Sequence, residues 1–317
     1  MVKGMRVHEL GGPELLQGFD NVLPFHGSVP FQFENSIICM RSPSIFVMQT
    51  LLGLKAYSFL YRKVIWATKS NEAVGEVVAV GPGLSDVKVG DIVAYAGSRM
   101  GSYAEEQILP ANKVVPVPPS IDPIVGASVL SKGMTAQMLL HRCFKVEPGH
   151  TVAAAGGVGS LLCQWATALS ATVIGTVSTK EKAAQAKEDG RLHVIIYKGE
   201  DFVARVKEIT SGKGVDVVYD SVGTDTFQGS LDCLKLRGHE VTFGQSSGSP
   251  DPVPLPGLGA KSLFLTRPAR NLHGFFAKIA SGVLKVRVNH QYPPSKAAQA
   301  ISDLESRKTS GSVVLIP

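Results

Sequence analysis

The run Ala154-Ala155-Gly156-Gly157-Val158-Gly159 has the residue types and spacing to hold a pyrophosphate. It is a GxGxxG variant with Ala in the first place. Gly156 and Gly157 let backbone approach the phosphates, Gly159 lets helix pack on strand, and Val158 leads into a helix whose first N–H groups are free to donate. A Gly-rich loop without function shares the composition but not the flanking strand and helix.

A site for NAD places an acid roughly 20 residues on, at the end of the second strand, to hold the ribose hydroxyls. That place reads Gly175-Thr176-Val177-Ser178-Thr179-Lys180. The hydroxyls of Ser178 and Thr179 and the cations of Lys180 and Lys182 suit a 2'-phosphate by hydrogen bonding and charge. The spacing therefore predicts NADPH over NADH. An N-cap Ser or Thr would explain the hydroxyls but not the missing acid.

No metal chemistry is expected. Cys39, Cys143, Cys163 and Cys233 stand singly, without CxxC spacing, and the eight histidines form no HxxxH or HExxH cluster. The thiols read as reduced and buried.

The elements that must position these residues follow from periodicity. From residue 150 onward, apolar strands alternate with helical stretches in the order of parallel βαβ units. The strands are TVAAA, ATVIGTV, HVIIY, DVVYDSV, EVTFGQS and SLFLTRP, and the helices Ser160 to Leu169, Lys180 to Glu188, Phe202 to Thr210 and Thr226 to Leu234. This is an α/β, doubly wound parallel sheet of the Rossmann type. Residues 73 to 118 read instead as short strands, AVGEVVAV, DIVAYA and KVVPVP, broken by Gly, Pro and Asp turns. They form a β-rich unit. Ala127 to Arg142 has apolar residues at helical spacing, which puts a boundary near residues 118 to 123. The tail returns to a strand, a helix from Ser295 to Arg307 and a last strand, SVVLI, and rejoins the first domain. The expected division is 1–122 completed by 283–317, and 123–282.

At 317 residues, two domains suit the length, and 44% hydrophobic with 18% charged residues fits a globular chain. The longest apolar stretch, Ile45 to Leu54, falls short of the ~20 residues of a membrane span. The amino terminus lacks a signal-peptide succession, so a cytoplasmic address is expected. The net charge of +6 is spread along the chain, as an anionic cofactor would also favour.

With EAVGEVVAVGPG, VGDIVAYAG, GSYAEE, LSKGMTAQ, VYDSVG, FGQSSG, LFLTRP and ESRKTSGSVVLIP in place, the chain resembles the zeta-crystallin-like, zinc-free quinone oxidoreductases of the medium-chain dehydrogenase/reductase superfamily. The likeness covers residues 2–16, 72–268 and 279–317. It implies a GroES-like catalytic domain, a Rossmann domain, a cleft between them, a homodimer, and NADPH-dependent reduction of quinones or related enones. It also implies cofactor contacts from the Gly turn, Ser178, Lys182, Tyr197, Ser221, Gly223, Gly244, Gln245, Ser246, Ser247, Phe264, Leu265, Thr266 and Arg307. Lys132, Met134 and Thr135 of KGMTA would line the nicotinamide side. Taken alone, Tyr197 and Phe264 read as core aromatics, and Lys132 and Arg307 as surface charges.

Residues 17–71 depart from the family. Lys55, Ser58, Leu60 and Trp66 stand where the family has an Asn, an Asp and two Tyr beside the nicotinamide, and Tyr61 is the group that could substitute. The first Rossmann strand is shortened at Thr151-Val152, which predicts a packing loss at the sheet centre, because a strand wants ~5 residues to cross a sheet. A family helix after Pro268 is also cut short. Two other readings stay open: an NADPH-binding protein without turnover, since the cofactor half is the intact one, and RNA binding, which the charge permits but no RNP-type motif supports.

Overall fold

The computed structural model describes residues 2–7, 16–22, 37–48, 72–81, 85–96, 106–155, 158–177, 179–188, 192–197, 199–268, 276–306 and 308–316. The chain divides into two compact units, 1–131 with 286–317, and 132–285.

The first unit is a β structure. Strands β1 (Val2–Val7) and β2 (Leu16–Val22) form an antiparallel pair. Strands β3 (Ile37–Met48), β4 (Glu72–Val80), β5 (Ile92–Ala96), β6 (Glu106–Pro110) and β7 (Val115–Pro116) are joined by β14 (Val288–Tyr292) and β15 (Ser312–Leu315). The order is β14-β15-β3-β4-β5-β7, with β6 pairing on β3. The carboxyl-terminal segment thus enters the sheet through β15, antiparallel to β3. Helix α8 (Ala297–Glu305) presents Ala297, Ala300 and Ile301 at helical spacing to a core that includes Val77, Tyr95 and Val313.

Helix α1 (Pro123–Met138) begins after Asp122, whose Oδ1 accepts from the backbone N–H groups of Ile124 (2.7 Å) and Val125 (3.4 Å). An acidic N-cap followed by Pro at the first helical position is a strong start signal. Glu72 of β4 is buried, and its Oε2 accepts from the Ser131 N–H at 3.0 Å. The helix runs into a π-turn, Leu139–Cys143.

The second unit contains a six-stranded, wholly parallel sheet, with β8 (Thr151–Ala155), β9 (Thr172–Val177), β10 (His193–Ile196), β11 (Val215–Asp220), β12 (Leu234–Thr242) and β13 (Phe264–Thr266) in the order β10-β9-β8-β11-β12-β13. Helices α2 (Gly159–Ala168), α3 (Lys180–Glu188), α4 (Phe202–Ile209) and α5 (Phe227–Cys233) connect them; the short α6 (Leu255–Gly259) precedes β13, and α7 (Phe276–Ala280) follows it. Every residue of β11 is buried, as a strand covered on both faces requires. Asp201 caps α4 by accepting from the N–H groups of Val203 (3.0 Å) and Ala204 (3.1 Å).

The shortened first strand is completed by the alanine run. Thr151–Ala155 pairs with β9 along its whole length and with β11 over Val152 to Ala154. Crossing length is kept. A cavity of about 20 Å³ opens beside Ala153 and Ala154, bounded by Val218, Cys233, Phe202 and Asp220 among others.

Candidate cofactor site

The carboxyl ends of the six parallel strands are where a doubly wound sheet binds its ligand. After β8, Val158 is the N-cap of α2 and Gly159 its buried first residue. Gly156 and Gly157 lie outside the described residues, as do Tyr61, Ser178 and Arg307.

After β9, Thr179 precedes α3, and its Oγ1 accepts from the Lys182 N–H at 3.3 Å. Lys180 is exposed and Lys182 half-buried. Glu181 shares this turn. Hydrogen bonds from its own backbone and from the Thr179 side chain, with the Lys180 charge, hold its carboxyl below the usual range. After β10, Tyr197 is half-buried, and its N–H donates to the Val177 carbonyl at 3.1 Å, which ties the ends of β9 and β10 together.

The loops after β11 and β12 are brought into direct contact. Ser246 N–H donates to the Ser221 carbonyl (3.2 Å), and Ser247 N–H to the Val222 carbonyl (2.8 Å). Ser247 Oγ donates to the same carbonyl (2.9 Å) and accepts from Asp225 N–H (3.1 Å). Its side chain therefore clamps the two loops. Gln245 Nε2 donates to Ser249 Oγ at 3.1 Å. Gly223, at φ +95°, bridges to Gly248, and a Cβ on it would lie 2.2 Å from the Gly248 carbonyl oxygen. A Cβ on Gly244 would lie 2.6 Å from the Ser221 carbonyl oxygen. Both positions need glycine because backbone meets backbone there.

Phe264, Leu265 and Thr266 form β13 at the sheet edge. The Phe264 ring stacks on His239, with centroids 4.4 Å apart and planes at 8°, while Leu265 is 40% exposed. On α1, Met134 is buried and Lys132 and Thr135 are half-buried. Among the described residues, no group of three or more His, Cys, Asp or Glu side chains could hold a metal ion.

A nicotinamide dinucleotide fits this donor set. Gly223 and Gly244 let the β11 and β12 loops close on one another, and Thr179, Lys180 and Lys182 supply hydroxyl and cationic donors at the second strand.

The sequence matches two domain models, the alcohol dehydrogenase GroES-like domain over residues 55–119 and the zinc-binding dehydrogenase domain over 157–276. The first of these begins inside the divergent segment. Quinone oxidoreductase 1 of Escherichia coli is 40% identical over 337 aligned positions, covering 100% of both chains. The chain belongs to the quinone oxidoreductase family of the medium-chain dehydrogenase/reductases. A 2-haloacrylate reductase of Burkholderia is 44% identical over 265 positions, 78% of this chain and 80% of that protein. The crystal structure of the Escherichia coli quinone oxidoreductase with NADPH superposes with a TM-score of 0.87, at 38% identity, over 99% of this chain and 100% of that one.

The loops are built from beneath by polar residues that no motif spacing marks, Asp220, Thr226 and Ser230. All three are buried in the second unit.

Proposed function

We infer that the chain is an NADPH-dependent reductase of quinones or related enones. The observation that carries the reading is full-length identity of 40% to a quinone oxidoreductase, in a chain whose second parallel strand is followed by Thr179, Lys180 and Lys182. NADPH, when bound, supplies a hydride to the acceptor.

The chain's own part is positioning and charge stabilisation. The Gly turn, with Val158 and Gly159, faces the pyrophosphate. Ser178 and Lys182 hold the adenosine phosphate, and Tyr197 and Arg307 are further cofactor contacts. Ser221, Gly223, Gly244 to Ser247 and Phe264 to Thr266 contact the cofactor, and Met134 lines its nicotinamide side. Lys132, Thr135 and Tyr61 donate hydrogen bonds to the acceptor oxygen.

We assign the catalytic domain to residues 1–122 with 283–317, and the NADPH domain to 123–282. The address is cytoplasmic; no helix among the described residues is long and apolar enough to cross a membrane. The assembly is a homodimer. In support, β13 pairs only with β12 among the described strands and exposes Phe264 (45%) and Leu265 (40%) at the sheet edge.

The test is the rate of NADPH consumption by the purified chain with 1,4-benzoquinone, against NADH at equal concentration. Quinone-dependent turnover favouring NADPH is expected. Cofactor binding without turnover would instead identify a silent NADPH binder.

A further inference from the structure

Asp220 ends β11 at 1% exposure, and its carboxylate accepts four hydrogen bonds. Oδ1 takes the N–H groups of Val222 (2.7 Å) and Gly223 (3.2 Å). Oδ2 takes the hydroxyls of Thr226 (2.8 Å) and Ser230 (3.0 Å). The first pair folds Ser221–Gly223 into an Asx-type turn, and the second fastens that turn to the start of α5. Val222 is then held from both sides, with its N–H on Asp220 and its carbonyl on both the N–H and the hydroxyl of Ser247. Through that one residue, the carboxylate beneath the first loop also sets the second.

We propose that Asp220 is a positioning residue of the NADPH site, one that fixes the β11 and β12 loops without touching the cofactor. The proposal rests on the cofactor reading above. Removing the carboxylate leaves two buried N–H groups and the Ser230 hydroxyl without their acceptor and leaves Thr226 only its longer bond to the Gly223 carbonyl (3.4 Å), so the loops relax and must be reordered when the cofactor binds. The loss falls on cofactor affinity rather than on the acceptor.

The experiment is NADPH titration of the full chain, followed by fluorescence, with KM for 1,4-benzoquinone measured at saturating NADPH. Asp220→Ala is expected to raise the NADPH Kd about tenfold or more and to move the quinone KM less than about twofold. Asp220→Asn should stay within about threefold of the unmodified chain, because its amide oxygen still accepts the two N–H groups and the hydroxyls can rotate to accept from its NH₂. Val206→Ala, a buried α4 truncation, controls for lost stability and should leave Kd unchanged at a comparable fall in Tm. Should Asp220→Ala fail to fold, the double variant Thr226→Val, Ser230→Ala takes its place, with Kd expected to rise about threefold. Wild-type affinity in Asp220→Ala or in that double variant, or an equal loss in Val206→Ala, overturns the proposal. Failure of the unmodified chain to bind NADPH would remove the cofactor reading, and this inference with it.

Discussion

Glu240 of β12 and Asp220 of the adjacent β11 are two buried carboxyls on paired strands, and of the two only Asp220 is hydrogen-bonded. Glu240 is 0% exposed, and neither of its oxygens has a partner. Burial, and then the charge of Asp220, push its carboxyl well above the usual range. Glu240 aligns in register with Val218 and Leu265, so it occupies a row otherwise suited to apolar residues.

Raising a carboxyl's pKa in the folded state makes the native chain hold a proton that the unfolded chain releases. Stability is then full below the ordinary carboxylate range and falls as pH rises from there toward the folded-state value. Glu240→Leu should remove this slope and stabilise the chain by about 1–3 kcal/mol near neutral pH, as relief of an unsatisfied buried group does. Urea unfolding of both proteins across pH 4 to 8 measures it; parallel pH profiles would count against the assignment.

Ala153 faces the void at the sheet centre. Ala153→Val is expected to fill it and to raise stability by about 0.5–2 kcal/mol, the usual yield of cavity filling. Calorimetric melting decides the sign, and a lower Tm would mean that the neighbouring side chains cannot accept the added methyls.

Gly223→Ala forces a Cβ to within 2.2 Å of the Gly248 carbonyl, at φ +95°. The loops must separate. NADPH affinity should drop about tenfold or more, with about 1–3 kcal/mol of lost stability. Equilibrium binding and unfolding, measured on the same preparation, separate the two effects.

Lys182→Ala tests the choice of cofactor. Loss of a charge-assisted bond to a phosphate costs about 1.5–3 kcal/mol, so KM for NADPH should rise roughly ten- to a hundredfold, while KM for NADH stays close to its starting value. Equal losses with both cofactors would assign Lys182 a structural role.

Much of the second unit was legible because each signal there is local. Alternating apolar runs and helical stretches yield the parallel order, and Lys180–Glu188 forms the helix its spacing predicts. Where a signal is long-range or ambiguous, legibility fails. Ala127 to Arg142 reads as one helix because a π-turn at Leu139–Cys143 preserves apolar spacing. β12 begins at Leu234, well before EVTFGQS, because Lys235, Arg237 and Gly238 look like a turn while register slips between Val215 and Val217 absorb them. The glycines and serines of the loops were marked as candidates by their likeness to the family. Asp220, Thr226 and Ser230 were not, since their hydrogen bonds close inside a core; the Asp-Ser-Val-Gly order, an Asx-turn pattern at a strand end, was the available clue.

The π-turn has a kinetic consequence. Its Leu139 carbonyl accepts from the buried Tyr219 hydroxyl at 3.0 Å, a contact across 80 residues of sequence. Such a contact can form only after the intervening chain has closed on itself and β11 has docked. A bond made that late weighs on the unfolding rate more than on the folding rate. Tyr219→Phe should accordingly shorten the native lifetime in stopped-flow unfolding and leave refolding nearly unchanged, so this hydroxyl acts as a latch on the finished nucleotide half.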